Sequence, residues 1–487
     1  MLCNLKNLGL ILLVLIIISA ACTVNKNAEY YYNSGNMMIE GEKYREAIPE
    51  FSKAIEIDPY YEDALFNRGL AYNNLGIYDS ALLDFSRVLE INPDKIDALL
   101  NCGNMYYMEE NYGKALEDFN RVIDLDPDDA SAYYGLGLTL HQTHRYEDAL
   151  ASFDRAIELD SLHYKIFYNR ALTKIELRRF DSALADFDRA EELNSDDPEI
   201  AYARGSLFDE QQDYEKAIEA YSKAIEMESG NANYYYNRGL VYYKMMEYQK
   251  ALDDYEMVVN IDTTFSMGFV NRGVTYYKLG QFDSAVADFD RALALSPQNI
   301  NAWFNRGLSH FNLGEYQKAI QDYNASINLN RNQPLFYYNR GLAYIHDGQF
   351  DNAILDYDRI LRMNPYFPGV HLNRGKAYAG LGNHEKALAD FDQAIQLNAA
   401  DPAAYYNRGL TYENNGDRRK AIQDYKKALE LRPEDQSVYY NIARNYDELG
   451  NTAEAVGAYR KFIAANPPDH EQALDYSRNR ITELENN

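Results

Sequence analysis

The hexapeptide YYNRGL occurs three times in the chain, at residues 235–240, 337–342 and 405–410. Near-copies that keep the asparagine and the arginine stand elsewhere, among them LFNRGL, FVNRGV and WFNRGL. Tyrosine can stack on a nucleobase or a sugar, and arginine can bind phosphate through its guanidinium group. The motif therefore raises the question whether it is a ligand-binding site that occurs many times or an element of the scaffold.

The charge balance argues against nucleic acid as the main partner. The 487 residues include 75 Asp and Glu against 48 Lys and Arg, a formal net charge of -27. An acidic surface repels polyanions, which bind through clustered lysines and arginines. The hydrophobic content of 46% is too high for a disordered chain. We therefore expect a soluble, folded protein that does not bind nucleic acid.

Residues that could support catalysis or metal binding are few and unsuitably spaced. Cys3, Cys22 and Cys102 fit neither a zinc site nor a disulfide framework. His141 and His144 have an i,i+3 spacing, but no third ligand stands near them. We therefore predict no enzyme activity, no metal and no cofactor, and we expect Cys102 to be a small buried hydrophobe.

The first 21 residues have the features of an export signal. A short segment with one lysine, MLCNLKN, precedes the uncharged run LGLILLVLIIISAA, which at ~14 residues is shorter than the ~20 that span a bilayer. The small residues Ser19, Ala20 and Ala21 stand directly before Cys22, which resembles a bacterial lipobox. The resemblance implies cleavage before Cys22, a lipid on that cysteine and a short tether over residues 22–27. Ordinary cleavage with a free cysteine and an uncleaved anchor are the alternatives.

Residues 28–469 repeat with a period of 34 residues and without insertion. When the glycine of each NRG motif is placed at position 8, thirteen repeats align. Position 20 is alanine and position 24 is aromatic in every repeat, while position 15 is glycine in seven repeats and position 32 is proline in seven. A fixed period of this length is typical of stacked helical units.

The spacing within a repeat predicts two helices. Positions 4, 8 and 11 share one face of a helix over positions 1–14, and positions 17, 20, 24 and 27 share one face of a second helix over 17–30. Glycine at position 15 ends the first helix, and proline at position 32 cannot continue the second. Small residues at positions 8 and 20 let the helices approach around the aromatic ring at position 24. Because one pair is too small to bury its own core, it must stack on its neighbours.

This pattern is similar to that of the tetratricopeptide repeat (TPR) family. The shared features are the 34-residue period, a small residue at position 8, an aromatic at 11, alanine at 20, an aromatic at 24 and proline at 32. The resemblance implies an all-α superhelical solenoid of thirteen antiparallel helix pairs over residues 28–469. The polar segment 470–487 is expected to form a C-terminal capping helix.

The repeat frame sorts the letters of YYNRGL by direction. At 100° per residue, the first tyrosine (position 4), the arginine (7) and the glycine (8) lie on the side of the first helix that faces its partner. The second tyrosine (5) and the leucine (9) lie on the opposite side, which the TPR resemblance makes the concave groove that binds peptides or helices. The asparagine (6), present in eleven repeats, could bond a neighbouring repeat or a bound peptide, and both interpretations remain open.

The arginine at position 7 is predicted to form an ion pair within its own repeat. A charge beside the core requires a partner, and eight of the nine arginines have an aspartate at position 23 of the same repeat. The alternative is that both residues are solvated. The predicted pairs are Arg68–Asp84, Arg170–Asp186, Arg238–Asp254, Arg272–Asp288, Arg306–Asp322, Arg340–Asp356, Arg374–Asp390 and Arg408–Asp424. Arg204 instead faces Ala220.

A ligand groove is predicted where aromatic residues of columns 5 and 12 are concentrated. They are Tyr236, Phe304 and Tyr338 at position 5 and Tyr243, Tyr277 and Phe311 at position 12, with Lys244 and Lys278 at position 13. Exposed aromatics with two cations suit a peptide that carries apolar anchors and a carboxylate. The alternative is that these aromatics only fill the space between repeats.

Together these features predict a non-enzymatic interaction scaffold or adaptor at the bacterial cell envelope. The lipid on Cys22 would hold it in the membrane, either at the periplasmic face of the outer membrane or on the cell surface. Its partners would be proteins or peptides. The alternative is a polysaccharide-binding component of an envelope export or assembly system, because a tyrosine-lined channel could guide a glycan.

Overall fold

The computed structural model describes residues 27–468 and 470–486. The predicted signal peptide, Cys22 and all of the tether except Asn27 lie outside the described residues. All regular secondary structure in the described ranges is α-helical, without a β-strand, which confirms the predicted fold class. Among the described helices, none combines the length and the hydrophobicity that crossing a bilayer requires.

The helices follow one another as thirteen pairs and a final single helix. Each first helix covers positions 1–13 of its repeat, or 3–13 in repeats 11 and 13, and each second helix covers positions 17–30. In chain order they are α1 Ala28–Glu40, α2 Tyr44–Ile57, α3 Glu62–Asn74, α4 Tyr78–Ile91, α5 Ile96–Met108, α6 Tyr112–Leu125, α7 Ala130–Gln142, α8 Tyr146–Leu159, α9 Tyr164–Glu176, α10 Phe180–Leu193, α11 Pro198–Glu210, α12 Tyr214–Met227, α13 Ala232–Lys244, α14 Tyr248–Ile261, α15 Ser266–Lys278, α16 Phe282–Leu295, α17 Ile300–Asn312, α18 Tyr316–Leu329, α19 Pro334–His346, α20 Phe350–Met363, α21 Val370–Gly380, α22 His384–Leu397, α23 Pro402–Asn414, α24 Arg418–Leu431, α25 Val438–Glu448, α26 Thr452–Ala465 and α27 Glu471–Asn486.

The turn inside every repeat passes through the left-handed region at position 15. In seven repeats this residue is glycine, with φ between 72° and 86°, a conformation that glycine adopts without strain. The other six repeats place a side chain in the same conformation, with φ between 56° and 63°. These residues are Glu42, Glu110, His144, Arg178, Gln212 and Met246. The left-handed turn is therefore common to all thirteen repeats, although glycine occupies only seven of them.

A buried ring at position 24 holds each helix pair together. The alanines at position 20 are fully buried in all thirteen repeats, and the ring beside them lies against position 8, which is glycine in eleven repeats and alanine in two (Ala171 and Ala443). A Cβ atom on Gly273 would stand 2.9 Å from Cε1 of Phe289, and one on Gly69 would stand 2.7 Å from Cε1 of Phe85. These distances are too short for a side chain, so glycine sets the close approach of the two helices.

The described residues form two compact units, one that ends at Ser229 and one that begins at Gly230. The first contains α1–α12, and the second contains α13–α27. In the second unit, α27 packs against the last pair through the buried Leu474. The Arg480 guanidinium donates to both carboxylate oxygens of Asp447, at 2.8 and 3.0 Å. The final helix therefore packs on the helix pair of repeat 13.

Candidate functional site

The first helices present the candidate binding face. Within each unit, the first helices of most neighbouring repeats contact one another along the stack. Positions 5 and 12 are separated by seven residues, about two turns, so they share one face of each first helix. We call this face the inner face. All six aromatic residues of the predicted groove lie on it and are half-buried.

The position-5 aromatics are largely engaged by their neighbours. The Tyr236 ring lies 5.0 Å from the Phe265 ring and 6.2 Å from the Tyr255 ring, centre to centre. Burial raises the pKa of Tyr236. Tyr338 packs in the same way against Phe367 and Tyr357, at 5.6 and 6.2 Å. The Phe304 ring contacts those of Phe336 and Tyr323, at 5.1 and 5.8 Å. Packing between elements therefore accounts for much of the surface of this column.

In several repeats the asparagine at position 6 binds a tyrosine hydroxyl of the preceding repeat. Its Nδ2 donates to the position-5 tyrosine 35 residues earlier, as in Asn271–Tyr236 at 3.0 Å and Asn373–Tyr338 at 3.0 Å. The same bond joins Asn67–Tyr32, Asn169–Tyr134 and Asn441–Tyr406. Where the earlier residue has no hydroxyl, as with Phe304, the amide donates to a carbonyl of its own helix. Of the two interpretations left open by the sequence, the structure shows the contact between repeats.

The position-12 aromatics form a second row on the inner face. Tyr243, Tyr277 and Phe311 each rest on the position-17 ring of the same repeat, with ring centres 5.4 to 5.5 Å apart. Their outer surfaces remain partly exposed, and Lys244 and Lys278 beside them are exposed. The row therefore combines aromatic rings in fixed orientations with exposed cations.

All eight predicted ion pairs are present in the structure. In each pair the arginine Nε and Nη2 donate to the two carboxylate oxygens of the aspartate, as in Arg272–Asp288 at 2.8 and 2.7 Å. The aspartates are between 1% and 6% exposed, so they are not solvated. These hydrogen bonds raise the pKa of Arg272 further above its ordinary value. These eight arginines at position 7 therefore form ion pairs within the fold.

Most of these arginines also reach a third helix, a contact that was not predicted from the sequence. Nη1 of Arg374 donates to Asp358, and Nη1 of Arg408 donates to Asp392, both at 2.6 Å. The acceptor stands at position 25 of the preceding repeat, 16 residues before the arginine, while the ion-pair aspartate stands 16 residues after it. The same contact occurs in Arg68–Ser52, Arg170–Asp154, Arg204–Asp188, Arg306–Asp290 and Arg340–Asn324. We call a position-7 arginine with these two acceptors the arginine clamp; its symmetric 16-residue spacing is visible in the sequence.

The first tyrosine of YYNRGL covers the clamp. The Arg340 guanidinium carbon lies 5.5 Å from the centre of the Tyr337 ring, and the Arg408 carbon lies 5.5 Å from the Tyr405 ring. A cation over an aromatic face is stabilised further by the ring quadrupole. The motif is therefore structural throughout: the ring, the arginine and the glycine hold the helices of the pair together, and the asparagine bonds the preceding repeat.

Three buried tyrosine hydroxyls at position 24 lack a hydrogen-bond partner. They belong to Tyr255, Tyr323 and Tyr357, whose rings are fully buried. In contrast, Tyr425 donates to Glu413 at 2.7 Å. Glu413 stands at position 12, where repeats 7, 9 and 10 carry Tyr243, Phe311 and Ile345. The tyrosines with unpaired hydroxyls therefore lie in repeats whose position 12 is aromatic or aliphatic instead of acidic.

These hydroxyls give a matched pair of substitutions. We expect Tyr255→Phe to raise the free energy of unfolding by about 1 kcal/mol, because an unsatisfied buried hydroxyl is removed. Tyr425→Phe should lower it by about 1–3 kcal/mol, because a hydrogen bond to a carboxylate is lost. Urea unfolding followed by circular dichroism measures both. Equal changes of the same sign would contradict the assignment.

Repeat 3 retains the aspartate of the clamp without its arginine. Cys102 occupies position 7 and is 1% exposed, in agreement with its expected role as a buried hydrophobe. One oxygen of Asp118, at position 23, is buried without a partner. Burial, with the nearby charge of Glu117, raises the pKa of Asp118 to about 6, and burial raises that of Cys102 to about 12.

Asp118 should make the stability of the protein depend on pH. Its pKa is higher in the folded state than the ordinary 3.8, so between about pH 4 and 6 the unfolded chain ionises first and the free energy of unfolding falls, by ~1–3 kcal/mol. We expect Cys102→Arg to abolish this fall by pairing with Asp118, whereas Cys102→Ala should keep it. Urea midpoints at pH 4, 5, 6 and 7 test this. An unchanged fall in Cys102→Arg would refute it.

The described residues contain no cluster of three or more His, Cys, Asp or Glu side chains suited to a metal ion. His141 instead contacts Thr173 Oγ1 through Nδ1 at 2.9 Å, and His144 contacts the Tyr146 hydroxyl at 2.8 Å. Each histidine ring therefore contacts a side chain of the fold: His141 reaches α9, and His144 reaches the first residue of α8.

Models of a repeat family match most of the chain. A model described as "TPR repeat" matches residues 35–76, 103–144, 205–245 and 375–416. Models described as "Tetratricopeptide repeat" match residues 62–95, 130–161, 164–197, 232–265, 270–334, 334–367, 402–435 and 437–468. The matches follow the 34-residue period through both units.

Similarity to a curated protein and to solved structures was also found. An uncharacterised protein of Methanocaldococcus jannaschii is 44% identical over 54 residues, which cover 11% of this chain and 63% of that protein. Among solved structures, the C-terminal part of a TPR repeat-containing protein from Cytophaga hutchinsonii is 22% identical and covers 50% of this chain and 99% of that one, with a TM-score of 0.43. The Cut9–Hcn1 hetero-tetramer of the APC/C is 15% identical over 94% of this chain and 98% of that chain, with a TM-score of 0.42.

Proposed function

The chain belongs to the tetratricopeptide repeat family, and on this premise we propose that it is a non-enzymatic scaffold that binds a peptide or protein segment on the inner face of repeats 7–10. One observation carries the proposal. Tyr243, Tyr277 and Phe311 recur on three successive first helices with part of each ring exposed, and Lys244 and Lys278 stand exposed beside them. The position-5 aromatics contribute less, because neighbouring residues already engage them.

The spacing of this row defines the ligand. Packed helices stand about 8–10 Å apart, and an extended chain advances about 3.3 Å per residue. A bound extended segment would therefore place an apolar side chain on each ring at about every third residue. A carboxylate between these anchors would pair with Lys244 or Lys278.

A capture experiment tests the groove. The immobilised full chain is incubated with an envelope extract, and Tyr243→Ala/Tyr277→Ala/Phe311→Ala is compared with the wild type. We expect the recovered partner to fall at least about tenfold, since aromatic anchors at the centre of an interface each contribute ~2 kcal/mol or more. The control is Tyr366→Ala, which removes an aromatic ring that is 75% exposed and lies outside the row.

The outcomes separate the possible functions. Equal recovery of the same partners by the triple variant would show that the row is not the binding site. Recovery of a glycan in place of a protein would favour the polysaccharide-binding alternative. The thermal unfolding of each variant is measured as well, so that a loss of folding is not read as a loss of binding.

The proposed scaffold is held at the cell envelope by a lipid on Cys22. The support is the order of the N-terminal residues: a lysine, an uncharged apolar run, and Ser19, Ala20 and Ala21 directly before the cysteine. Radiolabelled palmitate should label the wild type in a bacterial host and leave Cys22→Ala unlabelled. Equal labelling of both, or of neither, would refute the anchor.

A further inference from the structure

Repeat 13 has lost the arginine clamp. Ile442 stands at position 7 and Ala458 at position 23, and both are buried. Position 25 of the preceding repeat, which elsewhere supplies the third acceptor, is Lys426. A guanidinium and two acceptors are thus replaced by two small or apolar residues and a cation.

A cleft has opened where the clamp would stand. It has a volume of about 720 Å³ and lies among α24, α25 and α26, with Leu429, Pro433, Ile442 and Ala458 as its apolar lining. The size is within the range of small-molecule and side-chain binding pockets. A smaller cleft, of about 200 Å³, adjoins Ala220 in repeat 6, where the aspartate of the clamp is also missing.

The charges on the walls of the larger cleft suit an anion. Lys426 Nζ donates to the Tyr446 hydroxyl at 2.8 Å, and Lys461 Nζ lies 5.2 Å from the centre of the Tyr439 ring. Neither ammonium forms an ion pair with a carboxylate in the described part of the chain. Two acidic residues, Glu430 and Glu454, also line the cleft, and Glu430 is held by Lys427 at 2.8 Å. The cleft therefore offers two ammonium groups to an anion, although the chain as a whole has a net charge of -27.

We propose that this repeat-13 cleft binds an acidic peptide segment of a partner protein. An apolar side chain of the segment rests on Leu429 and Ile442, and a neighbouring carboxylate binds Lys426 and Lys461. The bound carboxylate thereby links α24 and α26, as the arginine of the clamp links helices in other repeats. Here the ligand supplies the anion and the protein supplies the cations. This site is separate from the inner-face groove of repeats 7–10 and does not depend on it.

A subtractive selection tests the proposal on the full chain. A phage library of random dodecapeptides is selected on the wild type after depletion on Lys426→Ser/Ile442→Arg/Ala458→Asp, a variant that closes the cleft by copying the Arg68–Asp84–Ser52 clamp. Because the replacement reproduces a clamp that this fold already contains, we expect the variant to fold. We expect the enriched peptides to pair an apolar residue with Asp or Glu.

Fluorescence anisotropy with the most enriched peptide completes the test. Lys426→Gln/Lys461→Gln, which leaves the cleft open, should weaken binding at least about tenfold, and the closed variant should not bind. The groove variant Tyr243→Ala/Tyr277→Ala/Phe311→Ala should bind this peptide as the wild type does, so the two sites can fail separately. Enrichment of no peptide, enrichment of peptides without acidic residues, or equal binding by the closed variant would overturn the proposal. Sedimentation velocity that shows self-association only with the cleft open would identify a second copy as the occupant and would also overturn it.

Discussion

Arg340→Leu is expected to lower the free energy of unfolding of the surrounding repeats by about 3–5 kcal/mol. The Arg340 guanidinium donates to both oxygens of Asp356, at 2.5 and 2.8 Å, and Asp356 is 4% exposed. Burial raises the pKa of Asp356 and the Arg340 hydrogen bonds lower it. Without the arginine, a carboxylate is left in the core with neither its counter-ion nor water.

The double variant Arg340→Leu/Asp356→Ser provides the matched control. It copies repeat 4, where Leu136 and Ser152 occupy the two positions, and replacing both partners removes the unpaired charge. We expect it to cost less than half as much as Arg340→Leu, since removal of a whole buried pair is often close to neutral. Urea unfolding, together with amide hydrogen exchange of α19 and α20, measures both variants. A double variant as unstable as the single one would refute the role of the unpaired charge.

Phe289→Ala is expected to lower the free energy of unfolding by about 3–5 kcal/mol, the usual cost of deleting a buried aromatic ring. The ring is fully buried and fills the space that Gly273 leaves open in the helix opposite. Because a glycine has no side chain that could move into the cavity, the site cannot repack by a change of rotamer. The loss of stability should also extend to the neighbouring repeats, because their stability depends on the interfaces they share with this repeat.

Tyr366→Ala serves as the control for this cavity. Its ring is 75% exposed, so its removal should change the free energy of unfolding by less than about 0.5 kcal/mol. Both variants are measured by urea unfolding at equal protein concentration. A cost below about 1 kcal/mol for Phe289→Ala would mean that the two helices can close over the missing ring.

The fold could be predicted because the same residues for packing two helices together recur in thirteen repeats. A single alanine or glycine is weak evidence, but alanine at position 20 in all repeats locates the closest approach of two helices. The ion pairs could be predicted for the same reason, since arginine and aspartate occur together in eight repeats and each pair lies within one repeat. Covariation of this kind gives the partners without any knowledge of how repeats stack.

The contacts between repeats were harder to foresee. A helical wheel places the position-5 tyrosine away from its own pair, which is correct, but it does not show that an asparagine 35 residues later reaches the hydroxyl. The distance between stacked repeats determines that bond, and a wheel contains no such distance. The third contact of the clamp was not predicted, because its acceptor at position 25 of the preceding repeat varies among aspartate, serine and asparagine.

The left-handed turns have a consequence for the order in which the protein folds. A side chain at positive φ costs about 1 kcal/mol more than glycine does, and six of the first seven repeats carry such a residue, whereas repeats 8–13 all have glycine there. Repeats 8–12 also hold an unbroken run of arginine–aspartate pairs. In a linear array, folding starts where local free energy is lowest and spreads to neighbours. Repeats 8–12 are therefore the natural nucleus, from which ordered structure propagates towards both ends of the chain.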